Sequence, residues 1–384
     1  MAIATPIPDP QTTRACCIDA GLDATSTQTF CDFAARVCAD PVLMRHTVAA
    51  RDHLFEAVGE FDATVTPAET ALGADAHVLR GLMLLESIRR VRERQIARGV
   101  PADITHATLE RHPSSTLRDY AARHRQAGAE SWIWSWYRTV GSGDLYRLDR
   151  LEFIPEKWDY PFRVFVHVRS GDAIAVLNAG ERFDHSGHNV GATTWATTLL
   201  ETDDAIIGCP ISPRGFALST PVRLARRDWQ QAIGPADTVL DMHIPGGEPL
   251  TPQSVRASLE KSGPFFDRFY PDTPFVAYVC DSWVFSNQLE AMLPPESNIL
   301  AMQREGYLFP DGVGQESFLD FTFGAPSIDP ATAPRDTRLR RAVIEHMQGG
   351  GTLRCGGFLF LRRDLPRFGS QPYRANDRIA ESLV

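Results

Sequence analysis

The sequence lacks the patterns that identify metal sites and redox sites. Its seven cysteines are scattered and none forms a Cys-x-x-Cys pair, so neither a zinc ribbon nor a redox dithiol is indicated. Its eleven histidines show no metal-binding spacing on a plausible helix or strand. The closest approach is the stretch 184–188, whose glycine is typical of a turn. We therefore expect no metal ion, and reduced thiols of the kind found in cytoplasmic proteins.

The sequence also lacks a net positive charge and long apolar runs. The formal net charge of −9 argues against a nucleic-acid surface as the main function. No stretch is long and apolar enough to span a membrane, and the N-terminus lacks the basic and apolar segments of a signal peptide. We expect no nucleic-acid partner, no membrane partner and a cytoplasmic location. A hydrophobic content of 43% over 384 residues is sufficient for two or three globular domains.

The hydrophobic pattern divides the chain into regions with different periods. Residues 1–27 are rich in Pro, Thr, Asp and Ala and are predicted to be a loosely ordered start. Over residues 28–140 apolar residues recur at spacings of three and four, which predicts a helical N-terminal domain. After this point apolar and polar residues mostly alternate, so residues 141–367 are predicted to form a mixed α/β domain. Residues 368–384 are predicted to be a loose tail. The fold class expected from this order is α+β.

Several elements of the second domain are indicated by local pattern. Residues 162–177 are the clearest β-hairpin, because two apolar strands flank a Ser-Gly-Asp turn. The stretch 317–323 alternates and is predicted to be a strand. Residues 337–347 have helical spacing and end at three glycines. Residues 355–361 are predicted to be the last strand.

The stretch 238–283 has the order strand, loop, helix, strand. Apolar residues at 238–244 and 274–280 indicate the strands, and the loop between them contains two prolines and two glycines. Thr251 followed by Pro252 is a typical helix start, and Gly263-Pro264 is expected to interrupt the helix. Units of this type place ligands at the carboxyl ends of their strands.

Polar and reactive side chains lie near those strand ends. Asp241 and His243 share one face of the first strand, Cys280 and Ser282 share one face of the second, and Asp281 follows Cys280. If the strands are neighbours, these groups could converge on one opening. A strand histidine is also compatible with a structural hydrogen-bonding role, and a free cysteine with a buried apolar one.

Five stretches resemble the sequence of a bacterial family, the acyltransferase domain-containing proteins. They are residues 148–153, 241–250, 280–283, 294–299 and 335–343. The His-Ile-Pro sequence at 243–245 and the Cys-Asp-Ser-Trp sequence at 280–283 are specific in combination. The resemblance runs from about residue 30 to residue 362. It implies a helical N-acyltransferase N-terminal domain followed by a GNAT-like mixed α/β domain, where GNAT denotes the GCN5-related N-acetyltransferases.

What the resemblance implies is acyl transfer from a thioester to an amine or a hydroxyl of a small molecule. In ordinary GNAT enzymes a basic, glycine-containing loop before a helix binds the pyrophosphate of CoA. Here Ile244, Gly246 and Gly247 precede a helix start at Thr251, so backbone N–H groups could bind phosphate or the thioester oxygen. The loop contains no Arg or Lys, and Glu248 would repel phosphate. Two donors therefore stay open, acyl-CoA and the thioester of an acyl carrier protein.

In the mechanism implied by the resemblance, His243 is the general base, because imidazole titrates near neutral pH. Asp241 or Asp281 would orient the ring, and Ser282 would protonate the leaving thiolate. Cys280 as an acyl-enzyme nucleophile is an alternative, although transfer in GNAT enzymes is usually direct. Three functions stay open: an N-acyltransferase, a non-catalytic GNAT-like module that binds an acyl carrier or small ligand, and a thioesterase-like cysteine enzyme.

Overall fold

The structure is a computed structural model that describes residues 9–56, 60–131, 134–189, 193–312 and 314–374. The chain forms two compact units, Met1–Leu148 and Asp149–Val384. The division falls after Leu148, later than the boundary predicted after residue 140, because the first unit also includes the segment that follows its last helix. The first unit is helical and the second contains a mixed sheet, so the fold class is α+β, as predicted.

The first unit consists mainly of helices. They are α1 (Pro10–Asp19), α2 (Ala24–Ala39), α3 (Pro41–Glu56), α4 (Phe61–Leu72), α5 (Ala76–Ala97), α6 (Ala102–Leu109), α7 (Ser115–His124) and α8 (Trp134–Gly141), followed by strand β1 (Tyr146–Leu148). Helix α5 is the most buried, and Leu79, Leu82 and Leu85 are inaccessible to solvent. A Cβ atom on Gly81 would lie 2.5 Å from the ring of Phe30 in α2. A larger residue at position 81 would therefore require the Phe30 ring to move.

The start of the chain is more ordered than the sequence predicted. Residues 1–8 lie outside the described part, but helix α1 occupies much of the segment 1–27 that was expected to be loose. Asp9 accepts hydrogen bonds from the N–H groups of Gln11 and Thr12, at 2.7 and 2.9 Å. Pro10 is the first helical residue. The Asp-Pro composition that suggested disorder is thus the start of a helix.

The second unit is built on strands. They are β2 (Leu151–Lys157), β3 (Phe162–His167), β4 (Ala173–Leu177), β5 (Arg182–Phe183), β6 (Trp195–Ala196), β7 (Leu199–Glu201), β8 (Ala205–Gly208), β9 (Pro210–Ser212), β10 (Phe216–Ala217), β11 (Val222–Ala225), β12 (Trp229–Ile233), β13 (Thr238–His243), β14 (Phe275–Ser282), β15 (Tyr307–Pro310) and β16 (Gly356–Leu361). Its helices are α9 (Pro252–Phe269), α10 (Leu289–Met292), α11 (Asn298–Glu305), α12 (Gln315–Phe323) and α13 (Arg338–Gln348).

The main sheet positions the central strand–helix–strand unit. Within the second unit its strands lie in the order β2, β13, β14, β16, β15. β13 is parallel to β14, whereas the other neighbours are antiparallel. A second sheet has the order β10, β9, β4, β3, β12, and its β3–β4 pair confirms the predicted hairpin.

The segment 317–323, predicted to be a strand, is part of helix α12. Phe318 and Leu319 are adjacent in sequence and both are buried, which helical geometry allows and strand alternation does not. Gly324 then adopts the left-handed conformation, with φ of +77°, and its N–H donates to the carbonyl of Asp320. The apolar spacing fits both periods over so short a run, and the glycine C-cap is the feature that distinguishes them.

The predicted loose tail, residues 368–384, is packed where the structure describes it. Phe368 and Tyr373 are buried, and the hydroxyl of Tyr373 donates to Asp364 at 2.8 Å. These two aromatic side chains bury apolar surface, which holds the segment in place. The prediction missed this because most residues around them are polar. Residues 375–384 lie outside the described part.

Candidate active site

The candidate site is at the carboxyl ends of β13 and β14. These strands are parallel neighbours joined by α9, as the strand–loop–helix–strand pattern predicted. Their pairing ends at Asp241 and Val279, although β13 continues to His243 and β14 to Ser282. The last residues of the two strands are therefore not paired with each other. An opening between parallel strands at their carboxyl ends is where α/β folds bind ligands.

Residues 244–250, which we call the donor loop, lead from this opening into α9. Thr251 caps the helix, because its Oγ1 accepts the N–H of Ser254 at 3.2 Å, and Pro252 is the first helical residue. Gly247 has φ of +104°, a conformation that L side chains rarely adopt. The predicted helix start is confirmed. The loop thus presents backbone next to the positive end of a helix dipole.

Helix α9 continues through Pro264, where the sequence predicted an interruption. Tyr278 of β14 anchors the helix close to this proline. The fully buried hydroxyl of Tyr278 donates to the carbonyl of Leu259 at 3.1 Å and accepts the hydroxyl of Ser262 at 3.0 Å. These bonds fix the helix against the strand that carries Cys280 and Asp281.

His243 and Asp241 form the central contact of the site. Nε2 of His243 lies 3.2 Å from Oδ2 of Asp241, and the two side chains are 28% and 21% exposed. Burial raises the pKa of Asp241, and a protonated His243 beside it lowers that pKa. The adjacent carboxylate can also orient the imidazole ring of His243. Such a pair can accept a proton from a substrate.

Further acidic side chains lie on the same face of the sheet. The register pairs Val239 with Glu156 and Asp241 with Ile154, so Glu156 and Asp241 share a face. Alternation along β14 places Asp281 on that face too. We call Glu156, Asp241, Asp281 and the nearby Asp311 the acidic group. Burial raises the pKa of Glu156, and the charge of Asp241 raises it further.

Asp281 has a strongly raised pKa within the acidic group. Part of the residue is exposed to solvent, but the surrounding protein removes water from its carboxylate. This desolvation raises the pKa of Asp281 to about 7, and the charges of Asp311, Asp241 and Glu156 contribute. The hydroxyl of Tyr160 donates to Oδ2 of Asp281 at 2.8 Å and opposes this rise. The carboxyl group can therefore exchange a proton near neutral pH. The carboxylate that contacts His243 at 3.2 Å is that of Asp241.

Cys280 and Ser282 lie on the opposite face of the sheet from His243. Cys280 is paired with Phe358 and alternates with Asp281, so the predicted convergence of all four groups is wrong. The reason is the register, which aligns Asp241 with Val279 and not with Cys280. Burial raises the pKa of the Cys280 thiol well above its usual range, and the charges of Asp241 and Asp281 add to this effect. Ser282 accepts the N–H of Val284 at 3.4 Å and caps a short turn.

Arg150 is a site residue that the sequence reasoning missed. It is 5% exposed, and its Nη2 donates to the carbonyl of Glu248 in the donor loop at 2.8 Å. It lies in the stretch 148–153, one of the five that resemble the acyltransferase family. That resemblance is the sequence feature that could have indicated Arg150. Tyr160 was missed because its partner Asp281 is 121 residues away in the sequence.

Among the described residues there is no group of three or more His, Cys, Asp or Glu side chains arranged to hold a metal ion. The described helices also include none that is long and apolar enough to cross a membrane.

Two protein-family models match the chain. Residues 11–140 match a family described as the N-acyltransferase N-terminal domain, and residues 145–359 match a family described as the GNAT-like C-terminal domain. The second match alone covers more than half of the chain. No curated protein matches the sequence.

Solved structures of similar fold are also known. One is an acyltransferase in complex with decanoyl-CoA and teicoplanin, with 20% identity and a TM-score of 0.60; the similarity covers 92% of this chain and 89% of that chain. Another is an acyltransferase mutant in complex with octanoyl-CoA, with 19% identity and a TM-score of 0.58, covering 94% and 91% of the two chains. At these identities the likeness shows the fold.

Proposed function

Because this chain is an acyltransferase of the family that joins an N-acyltransferase N-terminal domain to a GNAT-like C-terminal domain, we propose that it transfers an acyl group directly from acyl-CoA to an amine of a small molecule. The membership confirms the resemblance of the sequence. The observation that carries the proposal is the His243–Asp241 pair at the open end of β13, beside the donor loop and the start of α9.

The donor is assigned to the loop side of the opening. Ile244, Gly246, Gly247 and Thr251 belong to the donor loop and the helix start, where backbone N–H groups can hold phosphate oxygens and the thioester oxygen. The structurally similar acyltransferases hold octanoyl-CoA and decanoyl-CoA. Medium-chain acyl-CoA is therefore the first donor to test, and a carrier-protein thioester is the alternative donor.

In the proposed reaction the acceptor nitrogen attacks the thioester carbonyl, the C–N bond forms and the C–S bond breaks. His243 accepts the proton that the nitrogen loses, and Asp241 stabilises the resulting imidazolium. The thiolate of CoA leaves with the electron pair of the C–S bond and takes a proton from solvent or from a protonated group of the site. We assign neither Cys280 nor Ser282 to these steps, because both lie on the other face of the sheet.

The acidic group favours an amine acceptor over a hydroxyl. Carboxylates at Glu156, Asp241, Asp281 and Asp311 attract a positively charged ammonium group. The same carboxylates also hold the ammonium proton more tightly, so the acceptor needs a base before it can attack. The His243–Asp241 pair meets that need.

The test is incubation of the purified protein with acetyl-, octanoyl- and decanoyl-CoA and a panel of small molecules that contain amines or hydroxyls. Free CoA thiol and the masses of products and intact protein are measured together. Release of thiol with an equal amount of acylated amine, and with no acylated protein, is the expected result.

Other outcomes distinguish the alternatives. Acylation of hydroxyl compounds alone would contradict the amine assignment. Transfer from an acyl carrier protein but from no acyl-CoA would contradict the donor assignment. Saturable binding of acyl-CoA without any transfer across the panel would favour a ligand-binding module.

A further inference from the structure

We propose that Arg150 is a positioning residue for the donor: its buried charge, held under the donor loop, supplies the positive potential for the CoA phosphates that the loop itself lacks. This inference rests on the proposed function and concerns the phosphate end of the donor. Arg150 does not need to touch the ligand. It acts through the backbone of the loop and through the local potential.

The position of Arg150 is fixed from two directions. Its side-chain Nη2 donates to the carbonyl of Glu248 at 2.8 Å, which ties it to the donor loop. Its backbone N–H donates to Oγ of Ser258 in α9 at 3.0 Å, and the N–H of Leu151 donates to the same atom at 3.2 Å. Ser258 is itself inaccessible to solvent. The backbone of Arg150 is therefore held against α9, and its guanidinium against the donor loop.

The charge balance of the donor loop makes this arginine significant. Residues 244–250 contain no Lys or Arg, and Glu248 gives the loop a negative charge. Three phosphates of CoA would be repelled by such a loop unless a positive charge were near. Arg150 is only 5% exposed. Water and salt therefore screen its charge less than they screen an exposed charge, and its potential acts over a longer range.

The hydrogen bond also orients the loop. The Glu248 carbonyl is turned toward Arg150, so its negative end does not point at an incoming phosphate. The next residue is Pro249, which has no N–H with which the loop could fix that peptide by itself. Without Arg150 this carbonyl would lose its charged partner, and the backbone would be free to turn it outward.

The test compares two acyl donors that differ in their phosphates. Octanoyl-CoA carries the pyrophosphate and the 3′-phosphate, whereas the octanoyl thioester of N-acetylcysteamine has the same reactive end and no phosphate. For Arg150→Met we expect kcat/KM with octanoyl-CoA to fall at least about tenfold, chiefly through KM, because a charged hydrogen-bonding group is lost. With the truncated thioester it should stay within about twofold.

Three further variants support this test. Arg150→Gln removes the charge but keeps an N–H donor for the Glu248 carbonyl. It should show the same selective loss with octanoyl-CoA. It therefore tests the role of the charge if Arg150→Met does not fold. Arg150→Lys keeps the charge and should recover most of the activity with octanoyl-CoA. Arg268→Met removes an exposed arginine at the far end of α9 and should change neither donor's kinetics.

Equal losses with both donors would show that Arg150 supports the fold or the chemistry in general, and unchanged kinetics with octanoyl-CoA would show that it has no role in donor binding. Either result overturns the inference. Failure of the proposed function is separate, because it would appear as absence of transfer by the wild-type protein with both donors.

Discussion

The hydroxyl of Tyr160 donates to Oδ2 of Asp281 at 2.8 Å and connects the segment between β2 and β3 to the end of β14. The bond fixes a carboxyl group whose pKa is raised to about 7 on the same face of the sheet as His243. An imidazole and a carboxyl group are thus held near the same opening. The titration of the Asp281 carboxyl group should appear in the stability of the protein.

Asp281→Asn is predicted to become more stable relative to the wild type as the pH rises. The pKa of this carboxyl in the folded chain, about 7, lies above its ordinary value of 3.8. The folded state therefore binds the proton more tightly than the unfolded state, and this contribution to stability is lost as pH rises from about 4 through about 7. The asparagine variant does not titrate. Its Tm minus that of the wild type should increase between about pH 5 and about pH 8.

Asp272→Asn is the matched control, since Asp272 is an exposed residue in the turn after α9. It removes the same formal charge without altering the acidic group. A Tm difference for Asp281→Asn that stays constant over this pH range, or that parallels the control, would contradict the raised pKa.

Tyr278→Phe is predicted to lower the free energy of unfolding by about 1 kcal/mol, the usual contribution of a buried hydrogen bond. The phenolic oxygen joins Leu259 and Ser262 of α9 to β14, and no water can replace it because Tyr278 is fully buried. Denaturant unfolding measures the effect. Tyr160→Phe, whose hydroxyl bond is exposed, should cost clearly less. A cost for Tyr278→Phe that does not exceed the cost for Tyr160→Phe would contradict the larger contribution assigned to the buried Tyr278 bonds.

Cys280→Ala is predicted to keep its turnover within about threefold of the wild type. The thiol is buried, its pKa is raised well above the usual range, and it faces away from His243. A thiolate, which is the nucleophilic form, is therefore not available near neutral pH. The kcat of the variant and the intact mass of the wild-type protein after incubation with acyl-CoA are the measurements. An acyl adduct on Cys280 would contradict direct transfer.

Local pattern in the sequence was sufficient for the elements of the candidate site but not for every element of the fold. The cap at Thr251 and the strands on either side of α9 were predictable, because each signal lies within a few residues. Helix α12 was mistaken for a strand because its apolar residues fit both periods over one short run. Helix α1 was missed because Asp9 and Pro10 are common in both loops and helix starts.

The composition of the candidate site depended on contacts between distant parts of the chain. Alternation correctly placed Asp241 and His243 on one face, but it could not give the register between β13 and β14, which separates them from Cys280 and Ser282. Arg150 and the carbonyl of Glu248 are 98 residues apart in the sequence. No local rule predicts such a contact, because it arises only when β2 pairs with β13.

The central claim is that His243 is the general base, and the kcat of His243→Gln tests it most directly. Glutamine is polar but cannot accept a proton near neutral pH, and general-base assistance typically contributes about 10²–10⁴ in rate. His185→Gln, in an exposed turn, is the control and should keep wild-type turnover. We predict that His243→Gln lowers kcat at least about a hundredfold, with a nearly unchanged Tm. A well-folded His243→Gln protein whose kcat stays within about threefold of the wild type would contradict the claim.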